Sequence, residues 1–341
     1  MTGPTNGPEL EELLSRPTDA DIAHASKLEG DLLVLGAGGK MGPSLARLAK
    51  RAAVHAGGNT RVIAVARFSD RDLPARLQAE GIETIAADLL EPGTLAHLPD
   101  VPNIIFMAAR KFGTAGNAHL TWAMNTWLPG LVAERYRDSK IVAFSTGNVY
   151  PLVPVACGGA TESTEVAPVG EYAQSALGRE RMFEYGSDRW KTKVTLLRLN
   201  YAVEMRYGVL VDIGRAVFEK RPIDLRMGFV NVLWQRDANS VALRSLSVCQ
   251  CPPLTLNLTG PETLSTQWIA EEFGRCFDLT PVFSGAPAPV ALLNNAARSH
   301  KLFGPPTVNP VELIDWIAEW ISRGNVQLKK PTHFEVQDGK F

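Results

Sequence analysis

The strongest constraint on this chain is an apolar run that ends in glycine. Residues 31–36, DLLVLG, lead into Gly36, Gly39 and Gly42, and MGPSLARLAKRAAVHA (41–56) then repeats apolar residues with helical period. A strand that turns tightly and opens a helix brings backbone N–H groups and a helix N-terminus to one point, where a phosphate is favoured. Glycines permit the tight turn and the close approach of a pyrophosphate. The spacing therefore predicts a dinucleotide-binding turn built from Gly36, Gly38, Gly39, Lys40, Met41 and Gly42.

The next 150 or so residues continue the theme. β-rich runs at 61–68 (RVIAVARF), 82–89 (IETIAADL), 103–110 (NIIFMAAR), 140–150 (KIVAFSTGNVY) and 193–203 (KVTLLRLNYAV) alternate with helical stretches. That alternation predicts an α/β fold with a parallel sheet covered on both faces. The helical stretch 119–139 is expected to kink at Pro129. After residue 204 the spacing becomes irregular, and NPVELIDWIAEWISRG (309–324) reads as an amphipathic helix. The expected organisation is a polar lead-in with short helical pieces such as ELEELL (1–30), a dinucleotide-binding domain (31–204), a smaller mixed substrate lobe (205–330) with some chain exchange, and a polar tail (331–341).

Composition narrows the partners. Lys and Arg number 35 and Asp and Glu 36, a net charge of −1. With no basic stripe, this balance argues against nucleic acid. No apolar run approaches the ~18 residues of a membrane span. The acidic N-terminus lacks a secretory pattern, so a cytoplasmic location is expected. The histidines and Cys157, Cys249, Cys251 and Cys276 show no metal-ligand spacing. No metal is expected, and the cysteines read as small buried hydrophobes.

The second strand ends AVARFSD, with Ala66 and Arg67 where an Asp would accept from the ribose 2′-OH of NAD. A planar guanidinium suits a 2′-phosphate, and Lys40 adds charge, so NADP is expected ahead of NAD. The alternative is that Arg67 stacks on adenine and either cofactor binds.

With these motifs the chain resembles the extended short-chain dehydrogenase/reductases, in the NAD-dependent epimerase/dehydratase branch. GAGGKMG is similar to the family's glycine motif, AADLLEP to the segment whose Asp (Asp88, followed by Leu89) meets the adenine, and FMAAR (with Ala108, Ala109 and Arg110) to the segment under the nicotinamide ribose. Asn125 matches a supporting helix Asn, FSTGNVYP the Ser/Thr strand with Ser145 and Thr146, and LLRLNYAV the strand carrying Asn200 into the substrate lobe. The resemblance implies a Rossmann-type doubly wound sheet. It implies Tyr172 as proton donor and Thr146 orienting the substrate oxygen, with Asn200 leading into the substrate lobe; Asn148 and Arg206 are further expected to face the substrate. It also implies a homodimer through the helices that carry Trp122, Trp127, Leu131, Met182 and Phe183.

The family's lysine, four residues after the tyrosine, is here Ala176. The YRDSK at Tyr136–Lys140 precedes the Thr146 strand and lies at its wrong end. A free phenol ionises near pH 10, so about one in a thousand is phenolate at neutral pH. A tyrosine acting as acid is spared this penalty, which favours carbonyl reduction or a different base. Glu162, Glu165 and Glu171 are candidate bases, and Arg110 and Arg179 candidate sources of positive field. Gly147-Asn148 replaces the acidic pair of dehydratases, and Val230-Asn231 an Arg-Asp of nucleotide-sugar members. Arg198, Arg206, Arg221 and Arg226 remain for an anionic substrate. The expected function is NAD(P)-dependent oxidoreduction or epimerisation of a sugar-like or sugar-acid-like small molecule. The alternatives are a nucleotide-sugar epimerase or a cofactor-binding sensor with little turnover.

Overall fold

The computed structural model describes residues 2–111, 116–328, 332–336 and 339. Seven strands form its centre: β1 Leu32–Leu35, β2 Val62–Ala66, β3 Glu83–Ala86, β4 Asn103–Phe106, β5 Lys140–Thr146, β6 Lys193–Leu199 and β7 Leu254–Leu258. They pair in the order β7-β6-β5-β4-β1-β2-β3, all parallel. Winding reverses between β1 and β4, which opens a crevice at their carboxyl ends. Leu32, Leu33, Val34 and Leu35 are all fully buried, since helices cover both faces; this is why these strands read as continuous apolar runs.

The helices are α1 Gly7–Ser15, α2 Asp19–Ala25, α3 Gly42–His55, α4 Leu73–Ala79, α5 Thr94–His97, α6 Ala118–Trp122, α7 Leu128–Arg135, α8 Gly170–Trp190, α9 Val209–Phe218, α10 Gln235–Arg244, α11 Thr266–Phe277, α12 Ala297–Phe303 and α13 Pro310–Ser322. On one face, Leu45 and Leu48 of α3 and Ala238 and Ala242 of α10 pack on Val34, Ala64, Leu197 and Leu256. On the other, Leu128 and Val132 of α7 and Phe183 of α8 pack on Leu33, Leu35 and Ile141. Phe106 and Phe183 meet edge to face, centroids 5.4 Å apart. The second lobe closes around Leu210, Phe273, Ile317 and Trp320. No described helix is long and apolar enough to cross a membrane.

Three expectations need correction. β7 and α10 come from the segment assigned to the substrate lobe yet complete the main sheet and its cover, so chain exchange is extensive. The short helical pieces read in the lead-in form α1 and α2, capped by Asn6 and Thr18, and Leu10 and Leu14 lie fully buried in the second lobe's core. The expected kink at Pro129 is instead a π-helical turn at Ala123–Trp127; Pro129 sits in the first turn of α7, where a missing N–H is harmless. Cys157, Cys251 and Cys276 are exposed free thiols, and only Cys249 is partly buried. Of the tail, Thr332–Val336 and Gly339 fall within the described residues.

Candidate active site

The glycine turn is sterically specified. Gly36 holds φ at 91°, and a Cβ there would lie 2.5 Å from the Ala108 nitrogen. A Cβ on Gly42 would lie 2.3 Å from the Ala37 carbonyl oxygen, so α3 starts in contact with the turn. Gly39 is different: its nearest neighbour would be the Gly36 oxygen at 3.6 Å, leaving that side open to a ligand. No side chain caps α3, and its N–H groups face the same opening. The cradle fits a pyrophosphate.

Two cavities flank the turn. One, of about 420 Å³, is bordered by Gly38, Arg67, Asp88, Leu89, Ala108 and Ala109. Arg67 Nη1 stands 3.6 Å from Asp88 Oδ2, so a carboxylate opposes the arginine on which the NADP preference rested. Lys40 does not help it. Its ammonium crosses to the second lobe, donates to Ala202 O at 2.8 Å and sits 4.3 Å above the Tyr207 ring. Burial pulls it down to about 8.

The other cavity, of about 330 Å³, runs from Gly39, Lys40, Met41 and Gly42 to Thr146, Asn148, Tyr172 and Asn200. Thr146, the last residue of β5, donates to Asn148 Oδ1 at 3.0 Å and accepts from Asn148 N at 3.2 Å. Tyr172 occupies the first turn of α8. Asn125 sits in the π-helical turn: Oδ1 accepts from Arg110 N and Arg179 Nη2, and Nδ2 donates to Arg110 O and Ser175 Oγ. It ties the β4 loop to α8.

Other expected residues lie elsewhere. The Ser145 hydroxyl borders the cavity but donates to Glu180, which also holds Arg198 in a buried ion pair of 2.6 Å. Arg198 further donates to Tyr150 Oη at 2.7 Å and is not offered to a substrate. Arg206 pairs with Glu204 and Glu11 beside a third cavity of about 630 Å³. Arg221 and Arg226 line that cavity too, paired with Glu219 and Asp224. Glu162 accepts from Asn257 N and Glu171 from Trp122 Nε1, while Glu165 is exposed. None of the three borders the 330 Å³ cavity. Ala176 is fully buried among Val149 and Tyr150. Tyr136, pushed up to about 12 by burial, and Lys140 lie at the amino end of the β5 region. Of the expected dimer residues, Trp122 and Trp127 are exposed, whereas Phe183 belongs to the core. No cluster of three metal-ligating side chains occurs among the described residues.

Sequence reasoning missed Lys111, Tyr201, Tyr207 and Thr332, all lining the 330 Å³ cavity. Lys111 Nζ lies 5.9 Å from the Tyr172 ring centroid and 3.4 Å from Thr332 O; burial pulls it down to about 8. Its adjacency to FMAAR was the available signal. Tyr201, directly after Asn200, holds φ at 45°, a strained value for a non-glycine. Thr332 donates twice to Asp212 Oδ2, at 2.8 and 2.6 Å, and Phe334 packs on both the lobe core and the Val149 cluster. The tail thus crosses the cleft between the 330 Å³ and 630 Å³ cavities.

No curated protein sequence matches the chain. Solved structures do. MoeE5, in complex with UDP-glucose and NAD, is 18% identical with a TM-score of 0.70, over 86% of this chain and 99% of its own. UDP-glucuronic acid 4-epimerase from Bacillus cereus, with UDP-glucuronic acid and NAD, is 16% identical with a TM-score of 0.71, over 86% and 99%. UDP-glucose 4-epimerase from Thermotoga maritima, with UDP-glucose, is 13% identical with a TM-score of 0.69, again over 86% and 99%. These likenesses establish the fold. The family model itself matches residues 32–203, from β1 into the strand that follows Asn200, and the chain belongs to the NAD dependent epimerase/dehydratase family.

Proposed function

We propose that the chain is an NAD-dependent enzyme that oxidises, reduces or epimerises a hydroxyl- or ketone-bearing carbon of a sugar or sugar-acid-like molecule. One observation carries this reading: Thr146 and Tyr172 open into the same cavity as Gly39 and Gly42. The glycine turn and the start of α3 hold the pyrophosphate, and Asp88 and Leu89 receive the adenosine end. A bound nicotinamide supplies the two-electron exchange with the substrate carbon. Thr146, fixed by Asn148, orients the substrate oxygen, and Tyr172 gives or takes its proton. NAD is favoured over NADP because Asp88 faces Arg67 and a 2′-phosphate would meet that carboxylate.

A nucleotide-linked sugar is the second reading. The 630 Å³ cavity adjoins the reactive one at Tyr207 and has room for a nucleotide. Against it, the arginines there already face carboxylates.

The test follows NAD(P)H absorbance over a panel of polyols, sugar acids and UDP- or TDP-linked sugars. Turnover is expected with NAD, and Tyr172→Phe is expected to lower kcat by roughly 100-fold while leaving NAD affinity intact. Undiminished turnover in Tyr172→Phe would remove the phenol from the mechanism. NAD binding with no turnover on any member would favour a sensor.

A further inference from the structure

The tail of the chain lies where a long substrate would have to pass. Thr332 is buried, 3% exposed, and lines the 330 Å³ cavity. Phe334 and Glu335 follow directly and line the 630 Å³ cavity, and Tyr207 borders both. The segment is held at three points. Thr332 donates from N and Oγ1 to Asp212 Oδ2 on α9, at 2.8 and 2.6 Å, and its carbonyl accepts from Lys111 Nζ at 3.4 Å. Phe334 packs on the second lobe's core and on the cluster of Val149 and Tyr150. At Gly339 the backbone touches the start of α8, where a Cβ on Gly170 would lie 2.4 Å from the Gly339 carbonyl oxygen. Gly170 is two residues ahead of Tyr172.

Little room is left beside Asn148. His333, Phe334, Val336 and Gly339 border, with Lys111 and Asn148, a space of about 50 Å³. A water's share of the liquid is about 30 Å³, so this space holds a water and no sugar ring. Sites for drug-sized ligands begin at roughly 300 Å³. The 330 Å³ cavity stands at that lower end, and the proposed function also puts a nicotinamide in it.

We propose that residues 332–336 are a substrate-size filter: they part the 330 Å³ cavity from the 630 Å³ cavity, so that the reacting molecule is a free sugar or sugar acid and not a nucleotide-linked one. A nucleotide-linked sugar needs both cavities at once, with its sugar at Thr146 and Tyr172 and its diphosphate in the passage at Tyr207. The tail stands across that passage. On its far side the carboxylates of Asp212 and Glu335 line the 630 Å³ cavity and repel a diphosphate. A free sugar needs the first cavity alone.

The inference rests on Thr146 and Tyr172 marking the reacting carbon, but its test reads binding and not turnover. UDP and UDP-glucose are each titrated calorimetrically, with NAD present, into the full chain, into Phe334→Ala and into the Thr332→Val, Phe334→Ala pair. Thermal melts check folding. In the wild type the glucose is expected to add nothing to the affinity for UDP. In both variants UDP-glucose is expected to bind at least about tenfold more tightly than UDP, because the sugar can then reach the 330 Å³ cavity. If neither variant folds, Thr332→Val alone, which keeps the shape and gives up one anchoring bond, decides by a rise in the same ratio. A wild type that already prefers UDP-glucose, an unchanged ratio in a folded variant, or no binding of either ligand to it would overturn the filter. The expected ratios in a chain that turns over no sugar would leave the filter standing and fail the proposed function instead. Turnover of a free sugar acid with unchanged ratios would do the reverse.

Discussion

Glu180 and Arg198 are the charges whose loss this protein should feel most. Glu180 is fully buried and Arg198 is 6% exposed, and the carboxylate accepts from Arg198 Nε and Nη2 and from Ser145. Through Arg198 the network reaches Tyr150, and Tyr150 donates to Asn257 Oδ1 at 2.9 Å. It bolts α8 to the ends of β5, β6 and β7, directly behind Thr146. Removing one partner leaves an uncompensated buried charge, so Glu180→Gln is expected to cost about 3–5 kcal/mol, read as a lower urea midpoint. A Glu180→Leu, Arg198→Met pair strands no charge and is expected to cost clearly less.

At the scale of the element, the glycine turn separates folding from binding. Gly42 touches backbone that cannot yield, so Gly42→Ala displaces α3 from the turn. It is expected to destabilise the fold by about 1–3 kcal/mol and to weaken NAD binding as well. Gly39 has free space on the ligand side. Gly39→Ala is therefore expected to keep the wild-type melting temperature while losing NAD affinity. Thermal melts beside NAD titrations check both, and equal loss of stability in the two variants would mean that Gly39 is structural. The β1–α3 unit was legible because its chemistry is local. The π-helical turn at Ala123–Trp127 was not, because it exists to present Asn125 to Arg110 and Arg179, groups 15 and 54 residues away.

The whole molecule is closed by its two ends. α1 and α2 pack on α3 and α10, and Thr332–Val336 bridges the lobes. His24 on α2 is part of the first closure. Burial holds it down to about 4 from 6.5, against the pull of Asp21 and aided by Arg244 and Lys140. A depressed folded-state pKa stabilises above 6.5, and this contribution is lost as pH falls through 4, because the unfolded chain binds the proton first. The melting temperature is expected to drop between pH 6.5 and 4, and His24→Gln to flatten part of that drop. Identical pH profiles would show that His24 is not held neutral. What the sequence by itself determined is whatever neighbours along the chain decide: the strand–glycine–helix turn, the alternation that makes a parallel sheet, and the places of Thr146 and Tyr172 at the ends of their elements. Only the tertiary structure decided which charges remain available. Arg67 meets Asp88, Arg198 meets Glu180, Lys40 crosses to the other lobe and Arg179 faces the cavity, because a charge's role depends on its distance to partners and its burial, and neither follows from its position in the chain.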